Sequence, residues 1–159
     1  MITIQTMKKI VLLASFLGAV FVALPKEPVS VKKTAKPVEI TKTDFIRKIF
    51  DYEENKEVWK YKGDKPAIVD FYATWCGPCR ITHPILEELA AEYSNEIYIY
   101  KVDVDKEPEL ASLFGVQSIP VFIFIPMNEN PQVAVGALPK KTFKSAIDSI
   151  LLKKETEEK

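Results

Sequence analysis

A chain of 159 residues, 47% apolar and 28% charged, holds one globular domain and a short remainder. Its 22 basic and 22 acidic residues cancel, so it carries no basic field for nucleic acid, and a primary role in DNA or RNA binding is excluded. Two cysteines cannot build a disulfide framework, so the fold rests on a hydrophobic core, and one histidine with three methionines offers few soft ligands for metal carriage.

The N-terminal stretch is different material. Met7-Lys8-Lys9 precedes Ile10 to Leu24, a run without a charge. A basic start, an apolar centre and a polar continuation are the pattern of an export signal. At about 1.5 Å per residue the run covers roughly 22 Å, short of the roughly 30 Å hydrocarbon core of a bilayer. Residues 1–24 are therefore expected to be a signal peptide or, left uncleaved, an anchor to the inner membrane. Ala23 suits the position before the cut, whereas Phe21 is bulky for the small-residue position two residues earlier. Met7 offers a second plausible start. Residues 25–37, rich in Pro, Lys and Val, read as a linker that holds the domain off a membrane surface. Removing the signal takes away Lys8 and Lys9 and no acid, leaving the exported domain slightly negative.

The folded domain is expected over residues 38–153, with a polar tail at 154–159. Val38-Glu39-Ile40 reads as a short edge strand. Thr43 is the expected N-cap of a helix through Phe45, Ile46, Ile49 and Phe50 towards Trp59, broken by Gly63-Asp64. Ala67 to Ala73, apolar on both faces, reads as a central strand. A helix follows from Gly77 to Tyr93, with Ile81, Ile85, Leu86, Leu89, Ala90 and Tyr93 as its inner stripe. Ile97 to Val104 is a second buried strand, and Glu107 to Phe114 a short helix closed by Gly115. Val121 to Ile125 pairs through a turn at Asn128-Glu129-Asn130 with Gln132 to Val135. The last helix, from Pro139, buries Phe143, Ala146, Ile147, Ile150 and Leu151. The order βαβαβαββα implies an α/β fold: a central mixed sheet with helices on both faces.

Both cysteines lie in Trp75-Cys76-Gly77-Pro78-Cys79, where that central strand ends and the helix begins. A thiol at a helix N-terminus faces free N–H groups and the positive end of the dipole, which stabilise thiolate. Pro78 has no N–H to leave unpaired in the first turn. Two intervening residues bring both sulfurs within bonding distance, with Cys76 expected to be exposed and Cys79 tucked behind it. That suits exchange in which an outer thiolate attacks and an inner thiol resolves the mixed disulfide. A structural disulfide closing so small a loop constrains little of the unfolded chain. Zinc needs four ligands, and beyond this pair the chain offers only His83. His83 stands one turn after Cys79, within approach of the site; a partly exposed helix residue is its plainer reading. Asp70, a carboxylate in a buried strand, is costly there without a chemical role or a partner, and Lys101 shares the inward parity of Ile97 and Ile99.

VDFYATWCGPC resembles the active-site segment of the thioredoxin family, and KVDVD, GVQSIPVFIFI and VGALPKKTF follow in the family's order. The resemblance spans Val38 to Leu152 and implies a thioredoxin fold. It implies that Asp70 lies beneath the cysteines and moves protons for the inner thiol, with its pKa raised by burial, and that Lys101 approaches it. Ile119-Pro120 would be the family's cis-proline element. Trp75, Gly77, Pro78, Ile119, Pro120, Gly136 and Ala137 would surround the outer sulfur as the substrate groove. Pro84 matches the family's helix-kinking proline. The chain departs from the common pattern at Tyr72, at Val121, at His83 and in its longer 51–65 region.

The function so implied is thiol–disulfide exchange through Cys76–Cys79, with no cofactor beyond that couple and no metal. Members with Gly-Pro between the cysteines are typically reductants, so an exported, periplasmic monomer that reduces disulfide-containing proteins is expected. Because the surroundings there are oxidising, its electrons would come from a membrane thiol carrier of the DsbD type. The alternatives are an oxidase or isomerase of the same fold, or a binding module whose cysteines are incidental.

Overall fold

The computed structural model describes residues 35–154. The expected signal segment, most of the linker and all but Lys154 of the tail lie outside the described residues. Among the described residues, no helix is long and apolar enough to cross a membrane.

Among the described residues, five strands and four helices follow the expected order: β1 Val38–Glu39, α1 Lys42–Lys48, β2 Ala67–Tyr72, α2 Gly77–Glu92, β3 Tyr98–Asp103, α3 Pro108–Leu113, β4 Val121–Ile125, β5 Gln132–Val135 and α4 Lys140–Ala146. A π-helical stretch, Ile147–Leu151, extends α4. The sheet order is β1-β3-β2-β4-β5, with β2 and β3 parallel and β4 antiparallel to both β2 and β5. A central strand buried on both faces has to be apolar throughout, and β2 is, save for Asp70.

Alternation along the strands feeds two cores. On one face Ala67, Val69, Phe71, Ile123 and Ile125 pack with Phe45 of α1, with Ile49 at its C-cap and with Leu110 from α3. On the other, Ile68, Phe122 and Phe124 pack with Leu86 and Leu89 of α2 and with Phe143 and Ile147 at the C-terminal end. Asp70 shares the parity of Ile68, so it faces α2.

Two boundaries differ from expectation. The N-cap of α1 is Thr41, not Thr43: Thr41 Oγ1 accepts the Asp44 N–H at 3.2 Å and the Thr41 N–H reaches Asp44 Oδ2 at 3.4 Å. This reciprocal box decides the start. Thr41→Ala is expected to lower stability by about 1 kcal/mol, read as a shift in the denaturation midpoint. The helix also stops at Lys48 rather than running towards Trp59. The chain instead folds back, with the Lys62 N–H on the Ile49 carbonyl at 2.9 Å and the Trp59 ring 4.5 Å from that of Phe50. Residues 51–65 thus cover the first core with Tyr52, Trp59 and Tyr61.

The inner stripe of α2 is also corrected. Ile81 is 65% exposed, and Thr82 is buried in its place. Cys79, Thr82, Leu86, Leu89, Ala90 and Tyr93 form the stripe, and Thr82 keeps its hydroxyl satisfied on the Cys79 carbonyl at 3.0 Å. In the last helix Ala146 and Ile150 are only half-buried, because the π-helical stretch turns Ile147 and Leu151 inward.

Candidate active site

The turn from β2 into α2 places the cysteines. Cys76 is the N-cap of α2, and its sulfur receives the Cys79 N–H at 3.2 Å. Cys76 and Cys79 are joined as a disulfide. Pro78 occupies the first turn and α2 continues through Pro84. Cys76 is not the exposed thiol the sequence suggests. It is 3% exposed and Cys79 is fully buried, both packed against Tyr72, Ala73 and Ile119. The outer sulfur is sheltered because the Ile119–Pro120 loop lies over it, with the Ile119 carbonyl 3.8 Å from Cys76 Sγ. The Ile119–Pro120 bond is cis.

Beside the disulfide lies a groove of about 320 Å³ lined by Trp75, Val104, Val116, Gln117, Ser118 and Ile119. Trp75 is 66% exposed, yet its Nε1–H donates to Asp105 Oδ2 at 2.8 Å, which fixes the ring beside the groove. Of the expected groove residues, Trp75 and Ile119 line it, whereas Gly77, Pro78, Pro120, Gly136 and Ala137 do not. Gly136 holds the cis-proline loop through its backbone. With φ at +89° it turns its N–H onto the Pro120 carbonyl at 2.8 Å and so braces the cis-proline. Ala137 is exposed beside it. Val104, Val116, Gln117 and Ser118 escape sequence reasoning, because loops that close on a groove carry no periodicity.

Asp70 is fully buried, and among the described residues neither carboxylate oxygen has a hydrogen-bond partner. Burial raises its pKa to about 7, with Lys101 opposing more weakly. Lys101 stands level with Asp70 in the β2–β3 register, and its ammonium rests 4.9 Å from the centre of the Tyr72 ring. His83 is closer than its plainer reading allows: Nε2 lies 3.7 Å from Asp70 Oδ2. A disulfide at a helix N-terminus, a sheltering cis-proline and a carboxyl group held near neutrality make a site suited to dithiol–disulfide interconversion.

The thioredoxin family model matches residues 36–149. The chain belongs to the thioredoxin family. A thioredoxin of Borreliella burgdorferi is 49% identical over 110 residues, covering 69% of this chain and 93% of that protein. An M-type chloroplastic thioredoxin of Spinacia oleracea is 38% identical over 112 residues, 69% of this chain and 61% of that relative. A crystal structure of chloroplastic thioredoxin z superposes with a TM-score of 0.60 at 27% identity, covering 72% of this chain and 94% of that one. The domain has the thioredoxin fold and is a protein-disulfide reductase.

Proposed function

We propose that this thioredoxin-family domain acts outside the cytoplasm as an electron donor to protein disulfides, with Cys76 as nucleophile and Cys79 as resolving thiol. The observation that carries the assignment of roles is the Cys79 N–H directed at Cys76 Sγ from the first turn of α2. Such a donor stabilises thiolate at Cys76 in the reduced protein. Cys76 thiolate attacks a substrate sulfur, forming a mixed disulfide and releasing one substrate thiolate. Asp70 takes the proton of Cys79, whose thiolate bonds to Cys76 and displaces the second substrate thiol. Two electrons pass to the substrate, and the Cys76–Cys79 disulfide remains. The groove beside Trp75 and Ile119 takes an extended segment next to the scissile bond, and Lys101 tunes the charge on Asp70.

Export is supported by the N-terminal sequence: Lys8-Lys9, then the uncharged run to Leu24, then a Pro- and Lys-rich spacer. In that setting residues 1–24 direct or anchor the chain, residues 25–37 space it, and a membrane thiol carrier of the DsbD type returns the monomeric domain to its dithiol form. Equilibration with defined glutathione buffers tests the direction of electron flow. The expected reduction potential is about −270 mV, whereas one near −120 to −180 mV would make the protein an oxidant or isomerase. Labelling of intact cells with a membrane-impermeant thiol reagent tests location. Cys76 is expected to be labelled in cells, and labelling only after lysis would overturn export.

A further inference from the structure

The buried carboxyl group of Asp70 has no route to water of its own. Its side chain is fully buried and, among the described residues, neither oxygen is hydrogen-bonded. A proton taken from Cys79 must nevertheless leave Asp70 before the next cycle. Among the described residues, the His83 imidazole is the one basic group within 4.0 Å of either Asp70 oxygen. His83 is itself 29% exposed at the side chain, so the ring reaches from the buried oxygen to solvent. Its Nε2 is buried and, among the described residues, unpartnered, so in the Nδ1–H tautomer that nitrogen is free to accept from the carboxyl group.

We propose that His83 is a positioning residue that carries the proton between Asp70 and bulk water during resolution of the mixed disulfide. Closing the 3.7 Å gap to hydrogen-bond length requires a shift of about 1 Å. The sequence of transfers balances. The Cys79 S–H proton goes to Asp70. The Cys79 electron pair forms the Cys76–Cys79 bond and breaks the bond from Cys76 to the substrate sulfur. The leaving thiolate takes a proton from water. Asp70 then gives its proton to His83 Nε2, and the ring releases its Nδ1 proton to solvent.

The surroundings suit a transient carrier. Tyr72 of β2 packs edge-on against the ring at 5.0 Å between centroids. Burial and the Lys101 charge from β3 keep the imidazole below its ordinary pKa, while Glu87, one turn on in α2, opposes them. The ring therefore rests neutral, able to accept at one nitrogen and donate at the other. Because protons retrace the same path when the disulfide is reduced, the role holds for either direction of electron flow; it rests only on the exchange chemistry at Cys76–Cys79.

The test is repeated turnover of insulin disulfides with dithiothreitol as the electron source, from pH 5 to pH 9, for the wild type, His83→Ala and His83→Gln. Both variants are expected to slow turnover roughly tenfold near neutral pH, below the full range of direct acid–base catalysis because one transfer is removed. In His83→Ala the rate should rise with buffer concentration and be restored by added imidazole, which can enter the vacated, solvent-facing position. Retention of the wild-type melting temperature by His83→Gln separates proton transfer from folding. Unchanged rates in both variants, or a loss in His83→Ala that imidazole does not relieve, would overturn the proposal. Absence of exchange in the wild type would instead overturn the reductase chemistry beneath it.

Discussion

Replacing Asp70 with asparagine is expected to stabilise the domain and, at the same time, to slow its disulfide exchange. Burial lifts the carboxyl group from an ordinary value of 3.8 to about 7. Well below pH 3.8 the carboxyl is protonated whether the chain is folded or not, and the native state bears no penalty. As the pH rises, the unfolded chain ionises first, so stability is progressively lost until the folded group ionises near pH 7. A shift of that size corresponds to on the order of 4 kcal/mol. The asparagine amide, also short of partners, offsets part of the gain. The variant should therefore be more stable by roughly 2–4 kcal/mol at pH 8 and nearly equal to the wild type at about pH 3. Denaturant midpoints measured across that range give the difference directly. Exchange at pH 7 should fall by roughly 10- to 100-fold because the base for Cys79 is gone. A stability difference that does not vary with pH would mean that Asp70 is ionised throughout and paired within the fold.

The second large effect concerns the cysteines themselves. Cys76→Ser is expected to lower insulin reduction by on the order of 10³-fold or more, as loss of a covalent nucleophile does. Cys79→Ser should behave differently. Attack by Cys76 remains, but nothing resolves the product, so the protein accumulates as a mixed disulfide visible on a non-reducing gel. Turnover surviving Cys76→Ser would transfer the attacking role to Cys79. Neither substitution removes packing from the two main cores, which lie on either face of β2 away from the disulfide.

Much of the fold and site is legible in the sequence because local chemistry and tertiary position coincide. The apolar run of β2 followed by Cys76-Gly77-Pro78-Cys79 forces a strand, a turn and a helix start at one point, and Val121–Ile125 falls where the alternation of turn and apolar run places it. The cis bond at Ile119–Pro120 is legible only through family resemblance, since any X-Pro bond has that option. Thr41 and Thr43 compete for the same cap, and what decides between them is Asp44, three residues after Thr41. Ile81 looks like core by composition, but the bearing of α2 on the sheet, set by Cys79 and Leu86, turns it outward. His83 is harder still. Spacing puts it one turn from Cys79, but its approach to Asp70 depends on how far α2 sits above β2, which no periodicity records. The shelter over Cys76 is of the same kind, because a loop distant in sequence supplies it.

The most direct test is the order in which the reduced cysteines react. The protein, fully reduced, is treated with limiting iodoacetamide from pH 5 to pH 9 and the modified residue is mapped by mass. Cys76 is expected to be alkylated first at every pH, with an apparent pKa below the ordinary thiol value near 8.5, while Cys79 stays unmodified until the protein unfolds. Alkylation of Cys79 ahead of Cys76, or equal reaction at both, would contradict the assignment of an outer attacking thiolate and an inner resolving thiol.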